Sequence, residues 1–249
     1  AIYLLERMMD RAARELKIDP LELRRHNFIK KSSFPYQSST GEIIDVGDFD
    51  RVLSAAEVSA DIKGFERRKK ESKIKGRLRG LGLCYYIESI LGDPSEEAKV
   101  VFDKDGKVKI FVGTQSNGQG HETVFAQFLS DQTGIPAEKI TVIQGDSDLI
   151  PNGGGTGGSR SVTVQNNATL ATVEKVIRTF SQYLAGKIKV DVKDIEFDDI
   201  SFRISGSNFA PNMLEVAKMA FDDQRSDLLT HAAKVTLDAR SFPNGAHFA

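Results

Sequence analysis

Two stretches of the chain place glycine beside hydroxyl, amide and guanidinium side chains just ahead of a helical pattern. The first, "GTQSNGQGHET" at 113–123, contributes Gly118, Gln119, Gly120, His121 and Thr123. The second, "PNGGGTGGSRS" at 151–161, has five glycines among eleven residues and contributes Thr156, Gly158, Ser159, Arg160 and Ser161. Glycine lets backbone N–H groups come close to a ligand. A helix start adds unpaired N–H groups and a partial positive charge that favours anions. Hydroxyls donate, and a guanidinium offers a planar fork suited to phosphate. Together the two stretches suggest a large, polar, phosphate-bearing ligand held mainly by neutral donors.

Other chemistries fit less well. There is no G-x-x-x-x-G-K-[ST], so no P-loop. "GTQSNGQG" is not a G-x-G-x-x-G fingerprint, and it does not read as the opening of a βαβ unit with an acid about 20 residues on. Asp146 and Asp148 lack the bidentate acid that a calcium loop needs. His26, His121, His231 and His247 show no H-x-x-x-H spacing, so no metal ligand is assigned. Cys84 is the only cysteine, which excludes an internal disulfide framework and a cysteine-ligated zinc, favours a reducing, cytoplasmic setting, and reads as a buried structural thiol. Lys+Arg is 34 against Asp+Glu 35, a balance that argues against nucleic acid as partner. No apolar run approaches the roughly 20 residues of a membrane span. "AIYLLERMMD" lacks the features of a signal peptide and reads as a helix already under way, which suggests a missing upstream part.

The elements that must position these residues follow from periodicity. Residues 2–17 form an amphipathic helix, with Leu4, Leu5, Met8, Met9, Ala12, Ala13 and Leu16 at helical spacing. A second helix starts at Asp19 as N-cap, with Pro20 in its first position and Glu22 placed to reach back in a capping box. Residues 30–42 read as a polar connection, Asp48 caps a third helix to about Ala60, and the basic run "GFERRKKESKIKG" is a solvated helix. Strand formers fill 79–90. "EAKVVFDKDGKVKIFVGT" alternates on either side of Asp105-Gly106 and predicts a hairpin. A helix with Val124, Phe125, Phe128 and Leu129 on one face ends at Gly134. A short strand then enters the second glycine loop, and a long helix follows it. The rest mixes strands with a helix capped at Asn212. With 40% apolar and 28% charged residues a buried core is expected, and the fold class is α+β, mixed sheets with flanking helices.

"NGQGHETVFAQ", "QGDSDLIP" and "GGGTGGSRS", in that order and spacing, closely resemble the large, molybdopterin-binding subunit of the molybdenum hydroxylases, the family of xanthine dehydrogenase, aldehyde oxidoreductase and aerobic carbon monoxide dehydrogenase. "ERMMDRAARELKIDPLELRRHNFI", "RGLGLCYYIES" and "SFPNGAHFA" resemble the same family, so the likeness covers nearly the whole chain. It implies a molybdenum–molybdopterin cofactor, with or without a cytosine dinucleotide extension, whose metal is held by the pterin dithiolene and not by protein side chains. Gln119 and Gly120 would meet the pterin–metal end, and Thr156, Gly158, Ser159, Arg160 and Ser161 the phosphate or nucleotide end. Implied partners are the remaining parts of the large subunit, iron–sulfur and FAD subunits or domains, and a second copy of the chain. The division implied is 1–29 as the helical end of a preceding lobe, 30–75 as a linker with helices, and 76–249 as a molybdopterin-binding lobe incomplete at its C-terminal end. The family's Gly-x-Gly-Glu with its catalytic glutamate has no counterpart here. Accordingly no residue is assigned as catalytic, and the cofactor is expected only in the complete enzyme. A split subunit, or a non-catalytic anion-binding or assembly module derived from the family, is the alternative.

Overall fold

A computed structural model describes residues 2–249, which fold as two compact units, 2–89 with 241–249, and 90–240. These limits differ from 29/30 and 75/76, where the sequence changes character inside the first unit.

The first unit contains helices α1 (Ile2–Leu16) and α2 (Pro20–His26), strands β1 (Tyr36–Gln37) and β2 (Ile43–Ile44), helices α3 (Phe49–Ser59) and α4 (Phe65–Ile74), and strand β3 (Leu83–Ile87). The second runs through β4 (Ser95–Phe102), β5 (Val108–Val112), α5 (His121–Thr133), β6 (Ile140–Ile143), α6 (Ser161–Ile188), β7 (Ile195–Phe197), β8 (Phe202–Ile204), α7 (Met213–Asp222) and β9 (Thr230–Thr236). The chain then returns to the first unit as β10 (Asn244–Phe248), antiparallel to β3.

In the first unit α1 leaves most of its apolar stripe exposed: Leu4, Leu5, Met8 and Leu16 lie in solvent and only Ala13 is buried. Its attachment is polar. Glu6 and Asp10 both bind the buried Arg24 of α2, Asp10 at 3.0 Å, and Glu6 also accepts the Tyr85 N–H at 2.7 Å. Asp19 caps α2 as expected, accepting the N–H groups of Leu21 and Glu22. Glu22 forms no capping box; its carboxylate turns to Arg25 at 3.3 Å. Asp48 makes no side-chain cap at the start of α3 because Lys31 takes its carboxylate at 3.1 Å. Cys84 on β3 is half-buried rather than buried. Burial and then the Glu6 charge raise its thiol pKa.

The core of the second unit lies between a four-stranded sheet, in the order β6-β5-β4-β9, and helices α5 and α6. Alternation along β4 turns Glu96, Ala98, Val100 and Phe102 inward, and β5 adds Val108, Ile110 and Val112. These pack with Val173, Val176, Phe180 and Leu184 of α6 and with Phe125 and Leu129 of α5. The β4–β5 hairpin turns at Asp105-Gly106 as read, with Gly106 in the left-handed region. At α7 the capping box of Asn212 and Glu215 is complete. The mixed sheets with flanking helices are as expected from the sequence. One expectation fails: β5 and β6 are parallel and joined by α5, so the first glycine loop does open a βαβ crossover. The sequence hid this because the turn lacks the dinucleotide fingerprint by which such units are recognised.

Candidate functional site

That crossover explains why the two glycine loops meet. Residues 113–120 leave the carboxyl end of β5, and the segment leading to 151–160 leaves the carboxyl end of its parallel neighbour β6. In open parallel sheets, ligands bind beyond these ends. The loops touch as bare backbone. A Cβ on Gly153 would lie 2.6 Å from the Gly113 Cα, and one on Gly113 would lie 2.5 Å from the Gly153 Cα. The Thr156 hydroxyl then donates to the Gln115 carbonyl, tying the second loop to the first. Between them lies a cavity of about 370 Å³, lined by Gly113, Gln115, Asn117, Asp146, Gly155 and Thr156 among others. Asp146 is committed to its own turn, accepting the Asp148 and Leu149 N–H groups at 3.0 and 3.3 Å.

The residues singled out in the sequence divide into two groups. Gly118, Gln119, Thr123, Gly158 and Ser159 are exposed, and Gly120 and Thr156 are partly so. His121, Arg160 and Ser161 are buried. The Gln119 side-chain amide folds back, its oxygen accepting the Asn117 N–H. Ser159 holds the left-handed backbone, φ +57°, on the way into α6. Gly158 is left-handed as well, φ +61°, and its own Cβ would sit 2.7 Å from the Leu91 carbonyl. Neither Gly120 at the start of α5 nor Arg160 at the start of α6 caps its helix with a side chain.

Arg160 departs most from the sequence reading. It does not present a free fork to phosphate: its side chain is 1% exposed and makes four hydrogen bonds within the protein. Nε donates to the Asp93 carbonyl at 2.7 Å, and Nη2 to the Ser95 carbonyl at 2.6 Å. Nη1 donates to the Gly155 carbonyl at 2.6 Å and to the Glu96 carboxylate at 2.9 Å. A desolvated guanidinium needs such partners, because an unpaired buried charge is far costlier than a paired one. Nearby, the Ser95 N–H and, more weakly, the Arg160 charge lower the pKa of Asp93.

Sequence reading missed Glu96 and Gln165. Gln165 on α6 accepts the Gly113 N–H and donates to the Glu97 carbonyl, both at 3.1 Å, so it fixes the root of the first loop to the sheet. Glu96 had a signal: in "EEAKVVF" it is the carboxylate on the same face as Ala98, Val100 and Phe102. A charge at an inward strand position requires a buried partner.

Two buried polar atoms beside the first loop, Thr114 Oγ1 and His121 Nδ1, lack hydrogen-bond partners. His121 packs against Phe125 with ring centroids 5.0 Å apart and ring planes tilted by 48°. Among the described residues no group of three or more His, Cys, Asp or Glu could hold a metal ion, and no helix is long and apolar enough to cross a membrane.

Residues 55–249 match the family of the molybdopterin cofactor-binding domain. The chain is 32% identical to the carbon monoxide dehydrogenase large chain of Afipia carboxidovorans over 226 residues, which are 83% of this chain and 28% of that one. It is 32% identical to the nicotine 6-hydroxylase large subunit of Paenarthrobacter nicotinovorans over 232 residues, 86% of this chain and 27% of the relative. Among solved structures, reconstituted CO dehydrogenase from Oligotropha carboxidovorans superposes with a TM-score of 0.83 at 28% identity, covering 99% of this chain and 33% of that one. Quinoline 2-oxidoreductase from Pseudomonas putida 86 gives 0.81 at 25% identity, covering 98% and 33%. The chain therefore spans about a third or less of the length of these relatives.

Proposed function

Because this chain belongs to the molybdopterin cofactor-binding domain family, we propose that its two glycine loops form part of the cradle for a molybdopterin cofactor in the large subunit of a molybdenum hydroxylase-type oxidoreductase. The observation that carries this reading is the meeting of the 113–120 and 151–160 loops beyond the parallel strands β5 and β6, around a polar cavity. The residues suit such a ligand. Glycine backbone admits a close approach, two helix starts favour phosphate, and the orphaned Thr114 hydroxyl and His121 Nδ1 are buried polar groups of the kind that gain from a bound partner. The Gln119 amide and the hydroxyls of Thr123, Ser159 and Ser161 orient the cofactor as neutral donors, Thr156 holds the two loops together through its bond to the Gln115 carbonyl, and Gly118, Gly120 and Gly158 shape the backbone around the ligand.

When bound, the cofactor supplies the redox-active metal at which a substrate carbon is oxidised. The residues described here bind and orient; none of them is assigned as the catalytic base. Electrons would leave through iron–sulfur and FAD subunits, and the residues from Thr156 to Ser161 would meet the phosphate end of the cofactor or its cytosine dinucleotide extension. A cytoplasmic setting accords with the single thiol.

The test is molybdenum and pterin content of the complete enzyme carrying Gln119→Ala with Ser159→Gly. Glycine at 159 keeps the left-handed backbone without strain, so only the hydroxyl is lost. Two hydrogen bonds at about 1 kcal/mol each correspond to roughly 30-fold weaker retention. Wild-type cofactor content in this variant would overturn the reading.

A further inference from the structure

We propose that Glu96, acting with Arg160, is a positioning residue for the cofactor cradle: the buried pair is a wedge that sets both glycine loops, although neither side chain lines the cavity between them. The inference rests on the function proposed above. Glu96 Oε2 accepts from Arg160 Nη1 at 2.9 Å and from the Gly154 N–H at 3.1 Å, while Oε1 accepts the Glu97 N–H at 3.1 Å. Arg160 in turn holds the Gly155 carbonyl at 2.6 Å. Two consecutive loop residues thus hang from the pair, one by its N–H and the next by its C=O.

Both loops are also moulded to it. A Cβ on Gly154 would collide with the Arg160 guanidinium, and a Cβ on Gly113 with the Glu96 carboxylate. Glycine at these positions is therefore explained by the ion pair as much as by the ligand. The side chains are 1% and 0% exposed. Fold stability does not require such an arrangement, because well-packed apolar residues of similar volume serve as well or better. What charge adds is direction: four acceptors around one guanidinium fix the path of a segment that has almost no side chains of its own. The geometry thus points to cofactor retention as the property the pair serves.

The experiment uses the assembled holoenzyme with Glu96→Gln, with the apolar pair Glu96→Leu/Arg160→Met, and with Val176→Ala, a core truncation on α6. Pterin and molybdenum per chain, the rate of cofactor loss on dialysis, and the thermal midpoint are measured for each. The apolar pair should melt no lower than Val176→Ala yet lose cofactor about tenfold faster than wild type, the scale on which supporting shells act. Glu96→Gln, which keeps the shape but loses the charge and one of the two acceptor oxygens, should also lose cofactor faster than wild type. If the apolar pair does not fold, Glu96→Gln decides alone. Wild-type retention in Glu96→Gln, or equal loss in Val176→Ala at the same midpoint, overturns the inference. Absence of pterin from the wild-type enzyme would instead overturn the function on which it rests.

Discussion

Replacing Gly153 by alanine probes the contact on which the cradle depends. Its new Cβ would lie 2.6 Å from the Gly113 Cα and 2.7 Å from the Gly113 carbonyl oxygen. Carbon atoms in contact prefer about 3.5–4.0 Å, so the loops must part by roughly 1 Å. Neither side can yield as a flexible side chain would, because both are backbone and Gly113 is held by Gln165 at 3.1 Å. Overpacking of this kind costs about 1–3 kcal/mol. For a unit spanning residues 90–240 that corresponds to a fall of about 2–12 °C in thermal midpoint. The functional loss should be larger, since a 1 Å misplacement of a binding group can cost about 100-fold in rate. Gly106→Ala, in the β4–β5 hairpin turn and outside the site, is the internal control. It has φ +77° but open space around its Cβ, so it carries only the left-handed penalty of about 1–2 kcal/mol and leaves the loop contact intact. Thermal unfolding, cofactor content and kcat of the two full-length variants are compared. Gly153→Ala should lose cofactor and turnover beyond its loss of stability, whereas Gly106→Ala should not. Wild-type values for Gly153→Ala, or identical losses in the two, would refute the close approach of the loops as the functional feature.

Two further outcomes concern the core and a helix start of the second unit. Desolvation lowers the pKa of His231, buried against Phe180 with its Nε2 2.8 Å from the Leu228 carbonyl; the unfolded chain therefore binds the proton more readily, and stability should fall as pH drops from about 6.5 through the lower folded value, which urea midpoints between pH 5 and 8 would detect and which His231→Gln should flatten. Asn212→Ala removes the capping box at α7 and should cost about 0.5–2 kcal/mol by the same urea assay, with cofactor content unchanged.

What the sequence revealed, and what it concealed, follows from the range of the interactions. The Asp105-Gly106 hairpin, the Gly134 stop and the Asn212 cap depend on neighbours within a few residues, and all three stand in the structure. The caps expected at Glu22 and Asp48 do not form, because Arg25 and Lys31 compete for the same carboxylates across a short distance in space. The apolar stripe of α1 was legible, but its exposure was not, since burial depends on what lies opposite. In the candidate site the two glycine loops were visible as composition, and their meeting was not. It required knowing that β5 and β6 run parallel, a relation between elements about 30 residues apart in sequence. The role of Arg160 was misread for the same reason. Its partners Asp93, Ser95 and Glu96 lie more than 60 positions away, and an arginine beside glycine and serine looks the same whether it faces phosphate or a buried carboxylate.

That ambiguity has a physical resolution. A loop that binds phosphate through backbone N–H groups gains close approach by giving up side chains, and with them the contacts that would hold it still. Glycine raises the entropy that ordering must overcome, so a glycine cradle left to itself would be a poor binder. The restraint has to come from outside the loop and must act on its main chain. A strand carboxylate and a helix-start guanidinium meet that requirement together: Glu96 takes a loop N–H, Arg160 takes the next C=O, and each satisfies the other's charge. Gln165 does the same for the first loop without charge, through the Gly113 N–H. The chemistry that the sequence displays at the surface of the candidate site, hydroxyls and amides on glycine backbone, is thus positioned by polar groups that do not line the cavity themselves. They can be recognised in sequence only where, as with Glu96, a carboxylate falls on the inward face of an otherwise apolar strand.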